Sequence, residues 1–170
     1  MTPRSGRRLG SARADNGRVN RVLATLDAAG EAHRVHTHPP IRGEADLPLT
    51  GLDWTRSVKT LAFALPDGTI ALVGVPGPAR VKYGAIAQAL GVSRSQLRPA
   101  STAAVGALGM QPGGVSPICA EPGVIVLLDS SVPGMGTVYC GGGDPRTTLE
   151  LDAGALARVA HRPMLADVIG

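Results

Sequence analysis

The nine residues Gly109-Met110-Gln111-Pro112-Gly113-Gly114-Val115-Ser116-Pro117 constrain this chain more than any other stretch. Pro112 and Pro117 fix φ at two points, and the Gly113-Gly114 pair between them lets the backbone turn where a residue with a Cβ cannot go. The segment is therefore a shaped loop, and the regular elements must be arranged on either side of it. A Pro-Gly-Gly run by itself marks a turn between strands. The same glycines also allow main-chain N–H groups to approach a ligand closely enough to hold a phosphate or a developing oxyanion. The loop alone leaves both readings open.

Apolar spacing places elements before and after it. Val19, Val22, Leu23 and Leu26 recur at helical intervals and Gly30 supplies a stop. Residues 32–37 read as extended and end at Pro39-Pro40, while 41–56 show no period and suggest an irregular wall with a helical turn near Glu44. Residues 57–65 and 69–75 read as two strands joined at Pro66-Asp67-Gly68, a β-hairpin. Alternation puts Lys59, Leu61, Phe63 and Leu65 on one face and Val58, Thr60, Ala62 and Ala64 on the other. Val81, Ala85, Ile86, Ala89 and Leu90 describe a second helix closed by Gly91, Ser93 to Gln96 match a capping box, and Thr102 is placed to cap a short helix running to Gly109. The continuous apolar run Val124 to Leu128 predicts a buried central strand ending at Asp129. Residues 137–140 and 147–151 predict two further strands joined across Gly141-Gly142-Gly143-Asp144-Pro145, and Asp152 is placed to cap a last helix reaching about His161.

The pattern predicts one mixed α/β (α+β) domain of four to six strands and four or five helices. The strands and helices do not alternate regularly, and no Gly-x-Gly-x-x-Gly follows the first strand, which argues against a dinucleotide fold. No repeat or linker divides the chain. Its boundaries are an Arg-rich, flexible tail at 1–17 and a domain at 18–170.

Charge and composition narrow the function. Residues 1–21 carry Arg4, Arg7, Arg8, Arg13, Arg18 and Arg21 against Asp15 alone, and the remainder holds eleven basic and twelve acidic residues. The formal charge of +4 thus belongs to the tail, and the near-neutral body offers no broad basic face for nucleic acid. One Trp, one Phe and two Tyr are too few for a platform on which successive bases stack. No apolar run is long enough for a membrane span, and the N-terminal arginines are not followed by a hydrophobic segment of the secretory kind. A cytoplasmic enzyme or binding protein is expected, with Cys119 and Cys140 as buried thiols.

No standard catalytic constellation stands out. His36 and His38 share one side of a strand, but no third ligand lies near them in sequence, so they are expected as structural or substrate-contacting residues. Ser116 sits in Val-Ser-Pro and not in a Gly-x-Ser-x-Gly elbow. Lys59, one of only two lysines, shares a strand face with large apolar residues; it either snorkels to water or lies partly desolvated at a binding site. Asp129 either caps the turn after its strand or serves an active site. A lysine at a strand start, a loop of accessible amides and a carboxylate after a central strand together suit an anionic transition state whose nucleophile the substrate brings.

Ser57-Val58-Lys59-Thr60-Leu61, the hairpin after it, the Gly109 to Pro117 loop, the strand into Asp129 and the Gly141 to Gly143 turn, in this order, resemble the YbaK/prolyl-tRNA-synthetase-associated domain family across about residues 18–165. The resemblance implies a curled, mixed central sheet surrounded by helices, and a freestanding aminoacyl-tRNA deacylase acting in trans. Its substrate would be the 3′ acceptor end of a mischarged tRNA, for example tRNA(Pro) carrying Cys or Ala, with an aminoacyl-tRNA synthetase as a further partner and with no metal, organic cofactor or membrane. It implies Lys59, Gly113 and Gly114 as catalytic positions, and Val115, Ser116, Asp129, His38 and Gly142 as substrate-binding ones. In this family the attacking group can be a substrate hydroxyl, a cysteine thiol or a bound water. The chain departs from the family at Arg42 to Gly51, where a Thr-x-Glu-Glu-Ala type segment is usual, and at Val81-Lys82-Tyr83, which lacks an acidic residue. A non-catalytic domain of the same fold that binds a tRNA end or a nucleotide is the alternative.

Overall fold

A computed structural model describes residues 20–170; the Arg-rich tail expected at 1–17 lies outside the described residues. Helix α1 (Arg21–Ala29) starts where the Asn20 side chain accepts from the Leu23 amide at 3.1 Å and ends at Gly30, whose φ of 67° is left-handed. Its buried face carries Val22 and Leu26. Strand β1 (His33–Thr37) follows, and then two 3-10 turns, Glu44–Thr50 and Trp54–Arg56, form the irregular wall.

The hairpin forms as predicted. Strands β2 (Ser57–Ala64) and β3 (Ile70–Pro76) run antiparallel, Asp67 Oδ1 accepts from the Thr69 amide at 2.9 Å, and Gly68 takes the left-handed φ of 84° that closes the turn. Helix α2 (Tyr83–Leu90) ends at left-handed Gly91. Next come the short strand β4 (Arg98–Pro99), helix α3 (Thr102–Ala107), and strands β5 (Val124–Asp129), β6 (Thr137–Gly141) and β7 (Thr147–Asp152). Helix α4 (Gly154–Val159) and strand β8 (Pro163–Ala166) complete the chain.

The strands make one eight-stranded mixed sheet in the order β1-β7-β6-β2-β3-β5-β8, with β4 set beside β2. Its two faces carry separate apolar clusters. Phe63, Val73, Val75, Ile125 and Leu127 pack with Ile86 and Ala87 of α2 on one side; Val58, Leu72, Val126 and Leu128 pack with α1 and α4 on the other. Strand β5 is buried along its whole length, as its apolar run requires, because it is covered on both faces and paired in parallel with β3 and β8. Each fully buried Leu in this layer stabilises the fold by on the order of 1.5–3 kcal/mol.

Three expectations need correction. The sheet has eight strands where four to six were expected, because β4 and β8 are too short and too proline-marked to show a period. Ser101, not Thr102, caps α3, its hydroxyl accepting from the Ala104 amide at 3.0 Å. Asp152 belongs to the end of β7 and its carboxylate lies 3.2 Å from Arg158, so α4 begins at Gly154 without a side-chain cap.

Candidate active site

A cleft opens where the sheet splits. Strand β2 pairs with β6 only at Ser57 and Val58, and with β4 only at Phe63 and Ala64, so the edge of β2 between those points is left by both neighbours. A cavity of about 230 Å³ occupies this gap, bordered by Lys59 and Thr60 of β2, Gly113 and Val115 of the glycine loop, and Cys140, Gly141 and Thr148 of β6 and β7. Ile41, Leu47 and Trp54 of the irregular wall close its apolar side. Small-molecule sites commonly span roughly 300–1,000 Å³, so this one suits a small group. A larger groove of about 510 Å³ beside α1 is lined chiefly by Ala24, Ala28, Ala29 and Ala120 and gathers no set of polar groups.

The glycine loop is locked onto the β6–β7 turn through main chain alone. Gln111 N–H donates to the Gly143 carbonyl and Gly143 N–H to the Gly114 carbonyl, both at 2.8 Å. No Cβ fits at the junction: at Gly113 it would lie 2.4 Å from the Ile41 carbonyl oxygen, at Gly114 2.2 Å from the Asp144 backbone, and at Gly141 2.3 Å from the Val115 oxygen. At Gly142 it would meet Thr147 at 2.6 Å. Gly113 also has φ of 84°, which a side chain would strain. The amide of Gly114 is spent inside the loop, donating to the Gln111 carbonyl at 3.0 Å. Those of Gly113 and Val115 have no acceptor among the described residues, and both residues border the cavity.

Lys59 stands on the same cavity, so the lysine and the double-glycine bend converge. Its side chain is exposed and its ammonium donates to the Ala79 carbonyl at 2.8 Å, which employs one of three donors. His38 is buried behind the wall. Its Nδ1 lies 2.8 Å from the Pro39 carbonyl, which can only accept, and its Nε2 lies 2.7 Å from Thr148 Oγ1. In the neutral ring the proton is therefore on Nδ1, and Thr148 donates to Nε2. His38 thus positions a cleft hydroxyl without bordering the cleft. His36 is engaged elsewhere, 2.7 Å from Glu150.

The other expected residues stand back. Ser116 is fully buried, its amide facing Met110 Sδ at 3.4 Å and its Oγ accepting from the Ile118 amide at 3.2 Å. Gly142 donates to the Thr147 carbonyl and shapes the turn. Asp129 is not among the cleft residues. Its Oδ1 accepts from the Ser131 hydroxyl at 2.6 Å and amide at 3.0 Å, and its Oδ2 from the Val168 amide at 2.9 Å, so it caps the turn after β5. Burial pushes its carboxyl up, but these hydrogen bonds outweigh burial and hold it below the ordinary carboxylate range.

Cys140 borders the cavity, yet its thiol is no nucleophile: burial pushes its pKa up to about 12, against a smaller lowering by the Ser116 hydroxyl. Cys119 is also raised by burial. The cleft residues that sequence reasoning did not single out are Thr60, Thr147, Thr148 and the wall at Ile41, Leu47 and Trp54. Thr60 was adjacent to the selected lysine, and strand alternation already separated its face from that of Lys59.

A family profile described as an aminoacyl-tRNA editing domain matches residues 38–159. No curated protein matches the chain. Among solved structures, one of a hypothetical protein superposes with a TM-score of 0.72 at 27% identity, covering 88% of this chain and 99% of the other. Another, proposed as a trans-editing enzyme for prolyl tRNA synthetase, superposes with a TM-score of 0.71 at 26% identity, covering 88% of this chain and 95% of that one. A protein assigned to signal transduction from Marinobacter aquaeolei VT8 shares the fold alone, with a TM-score of 0.61 at 11% identity over 89% of this chain and 31% of its own.

Proposed function

The chain belongs to the aminoacyl-tRNA editing domain family, of the YbaK kind, and from that premise we propose that it is a deacylase that hydrolyses the ester of a mischarged tRNA in trans. The observation that carries this reading is that Gly113 and Val115, whose amides have no acceptor among the described residues, border the same small cavity as Lys59. In the proposed reaction the 3′-terminal aminoacyl ester enters the split between β2 and β6. The two amides receive the carbonyl oxygen as it gains charge, and their fixed main chain needs no reorganisation at that moment. Lys59 holds the acceptor end through its two remaining donors. Attack by water breaks the acyl–oxygen bond, the water's proton passing to the departing ribose oxygen, and releases the free amino acid and the terminal ribose hydroxyl; attack by a hydroxyl or thiol that the substrate brings gives instead a new ester or thioester, which water then opens. Neither the protonated Cys140 thiol nor the buried Ser116 hydroxyl is suited to attack.

A synthetase pocket rejects a slightly smaller side chain by only about 1–3 kcal/mol per methylene, which is why a second, smaller sieve is needed. The cavity of about 230 Å³ is of that size. The near-neutral body fits a protein that grips mainly the acceptor end, with a synthetase supplying further tRNA contacts. The test is deacylation of tRNA(Pro) charged with Cys, Ala or Ser, with equilibrium binding measured on the same samples. Release of at least one amino acid well above the spontaneous rate supports the reading. Binding without turnover across the panel overturns it in favour of a tRNA-end binding domain.

A further inference from the structure

Asp129 is the one buried carboxylate among the described residues, 3% exposed, and the proposed reaction gives it no part. Its two oxygens serve different ends. Oδ1 accepts from the hydroxyl and the amide of Ser131, the local cap that an Asp or Asn at the start of a turn makes two residues on. Oδ2 accepts from the amide of Val168, which the turn does not need. Only donors converge here, so a carboxylate alone satisfies all three. An Asn that capped the turn with its carbonyl would aim an NH2 group at the Val168 N–H.

Val168 leads from this carboxylate towards the cleft. It is fully buried, and its carbonyl accepts from the Lys82 amide at 2.8 Å. Ile169 bridges to Val81 in antiparallel fashion, and the Gly170 amide donates to the Arg80 carbonyl at 3.0 Å. Residues 168–170 thus lie as a short rail along 80–82, the end of the segment that joins β3 to α2. One residue back, Ala79 presents the carbonyl to which the Lys59 ammonium donates at 2.8 Å. The other end of this segment is fastened by the Gly77 amide to the Ser57 carbonyl, also at 2.8 Å. No ion pair among the described residues includes Lys59. A neutral carbonyl therefore holds an exposed, flexible side chain at the cavity and leaves its charge free for a ligand.

We propose that Asp129 is a positioning residue for Lys59: its carboxylate fixes residues 168–170, these fix 80–82, and the Ala79 carbonyl is thereby set where it directs the ammonium to the cleft. The proposal rests on reading Lys59 as the group that holds the substrate, and it deepens that reading. Hydrogen-bond networks carry coupling between sites when their links are rigid. Every link here is main chain except the two ends, the Asp129 carboxylate and the Lys59 ammonium. A residue that did no more than cap its turn would leave Lys59 indifferent to position 129.

Lys59 and Lys82 are the only lysines, so protein carrying isotope-labelled lysine gives two side-chain spin systems to follow by NMR. In the parent the two ε-methylene protons of Lys59 should be inequivalent, as in a side chain held in one geometry. Asp129→Asn should merge them, and should lower kcat/KM on the mischarged tRNA(Pro) that the parent clears fastest by about tenfold, within what a displaced positioning group costs. In a Lys59→Ala background the same substitution should cost nothing further in kcat/KM, since the group it acts through is gone. Ser131→Ala removes a bond of the local cap alone; it should lower the melting temperature and leave the Lys59 signals and kcat/KM as in the parent. A folded Asp129→Asn protein with parent-like Lys59 signals, or one that loses as much kcat/KM without Lys59, makes Asp129 a cap only and overturns the proposal while deacylation stands. Equivalent ε-protons in the parent overturn it as well. If the parent clears nothing but its Lys59 signals still follow residue 129, the positioning stands and deacylation fails. Should Asp129→Asn not fold, Gly170→Pro decides: it deletes the amide that the Arg80 carbonyl accepts from, at an exposed residue. Merged Lys59 signals in that variant support the proposal, and unchanged ones end it.

Discussion

A Cβ placed on Gly114 would sit 2.2 Å from the backbone carbon of Asp144, so the glycine loop and the β6–β7 turn touch main chain to main chain. Gly114→Ala must push one of them away. We expect a destabilisation of about 3 kcal/mol, at the upper end of overpacking costs. Activity should fall with it, because the neighbouring amides move. Thermal melting checks this against Gly84→Ala in α2, where nothing lies within 4 Å and no loss is expected.

Lys59→Ala should leave the melting temperature near that of the parent, since the side chain is exposed and its one protein partner is the Ala79 carbonyl. Deacylation should fall by about 10²-fold, the cost that losing a contact that positions the substrate can carry. Lys59→Arg should restore little, because a planar guanidinium cannot occupy the position of a compact ammonium. Single-turnover assays on mischarged tRNA provide the measurement. Parent-like rates in Lys59→Ala would remove this residue from the site.

His38→Ala should free the Thr148 hydroxyl and leave the Pro39 carbonyl without its donor. Stranding buried polar groups costs roughly 1–3 kcal/mol, visible in a denaturant midpoint. Because Thr148 borders the cleft, substrate affinity should weaken as well.

The pH dependence of stability has two arms with opposite causes. Asp129 titrates below its ordinary value in the fold, so its hydrogen bonds contribute fully above the unfolded pKa of about 3.9 and are lost as the pH falls further. Asp129→Asn should flatten that acid limb. Cys140 is raised to about 12, so its contribution is complete below the unfolded value of about 8.5 and declines as the pH rises through the alkaline range. The native thiol should accordingly react with maleimide orders of magnitude more slowly than the unfolded one at pH 8. Fast labelling of folded protein would contradict its burial.

Strong local signals in the sequence correspond to regular elements here. The Pro66-Asp67-Gly68 turn, the apolar run of β5 and the left-handed stops at Gly30 and Gly91 each depend on a few adjacent residues, and each was legible. Strand β8 was not, because four residues beginning with Pro163 form a strand only by leaning on β5. At the site, the shaped loop and Lys59 were readable as unusual. The spending of the Gly114 amide, the turn-capping of Asp129 and its reach to Val168 were not, since each depends on what tertiary packing sets beside the residue.

The wall at Ile41, Leu47 and Trp54 is of a different make from the rest of the cleft. Leu47 sits in a 3-10 turn whose carbonyl is tied to the Trp54 indole at 2.8 Å, in a stretch with no strand partner. One side of the cavity is thus main chain fixed to main chain, and the other is side chains on a stretch without strand partners. If the chain is the deacylase proposed above, substitutions confined to that stretch should change which acyl group is admitted while the main-chain side of the cavity keeps its shape.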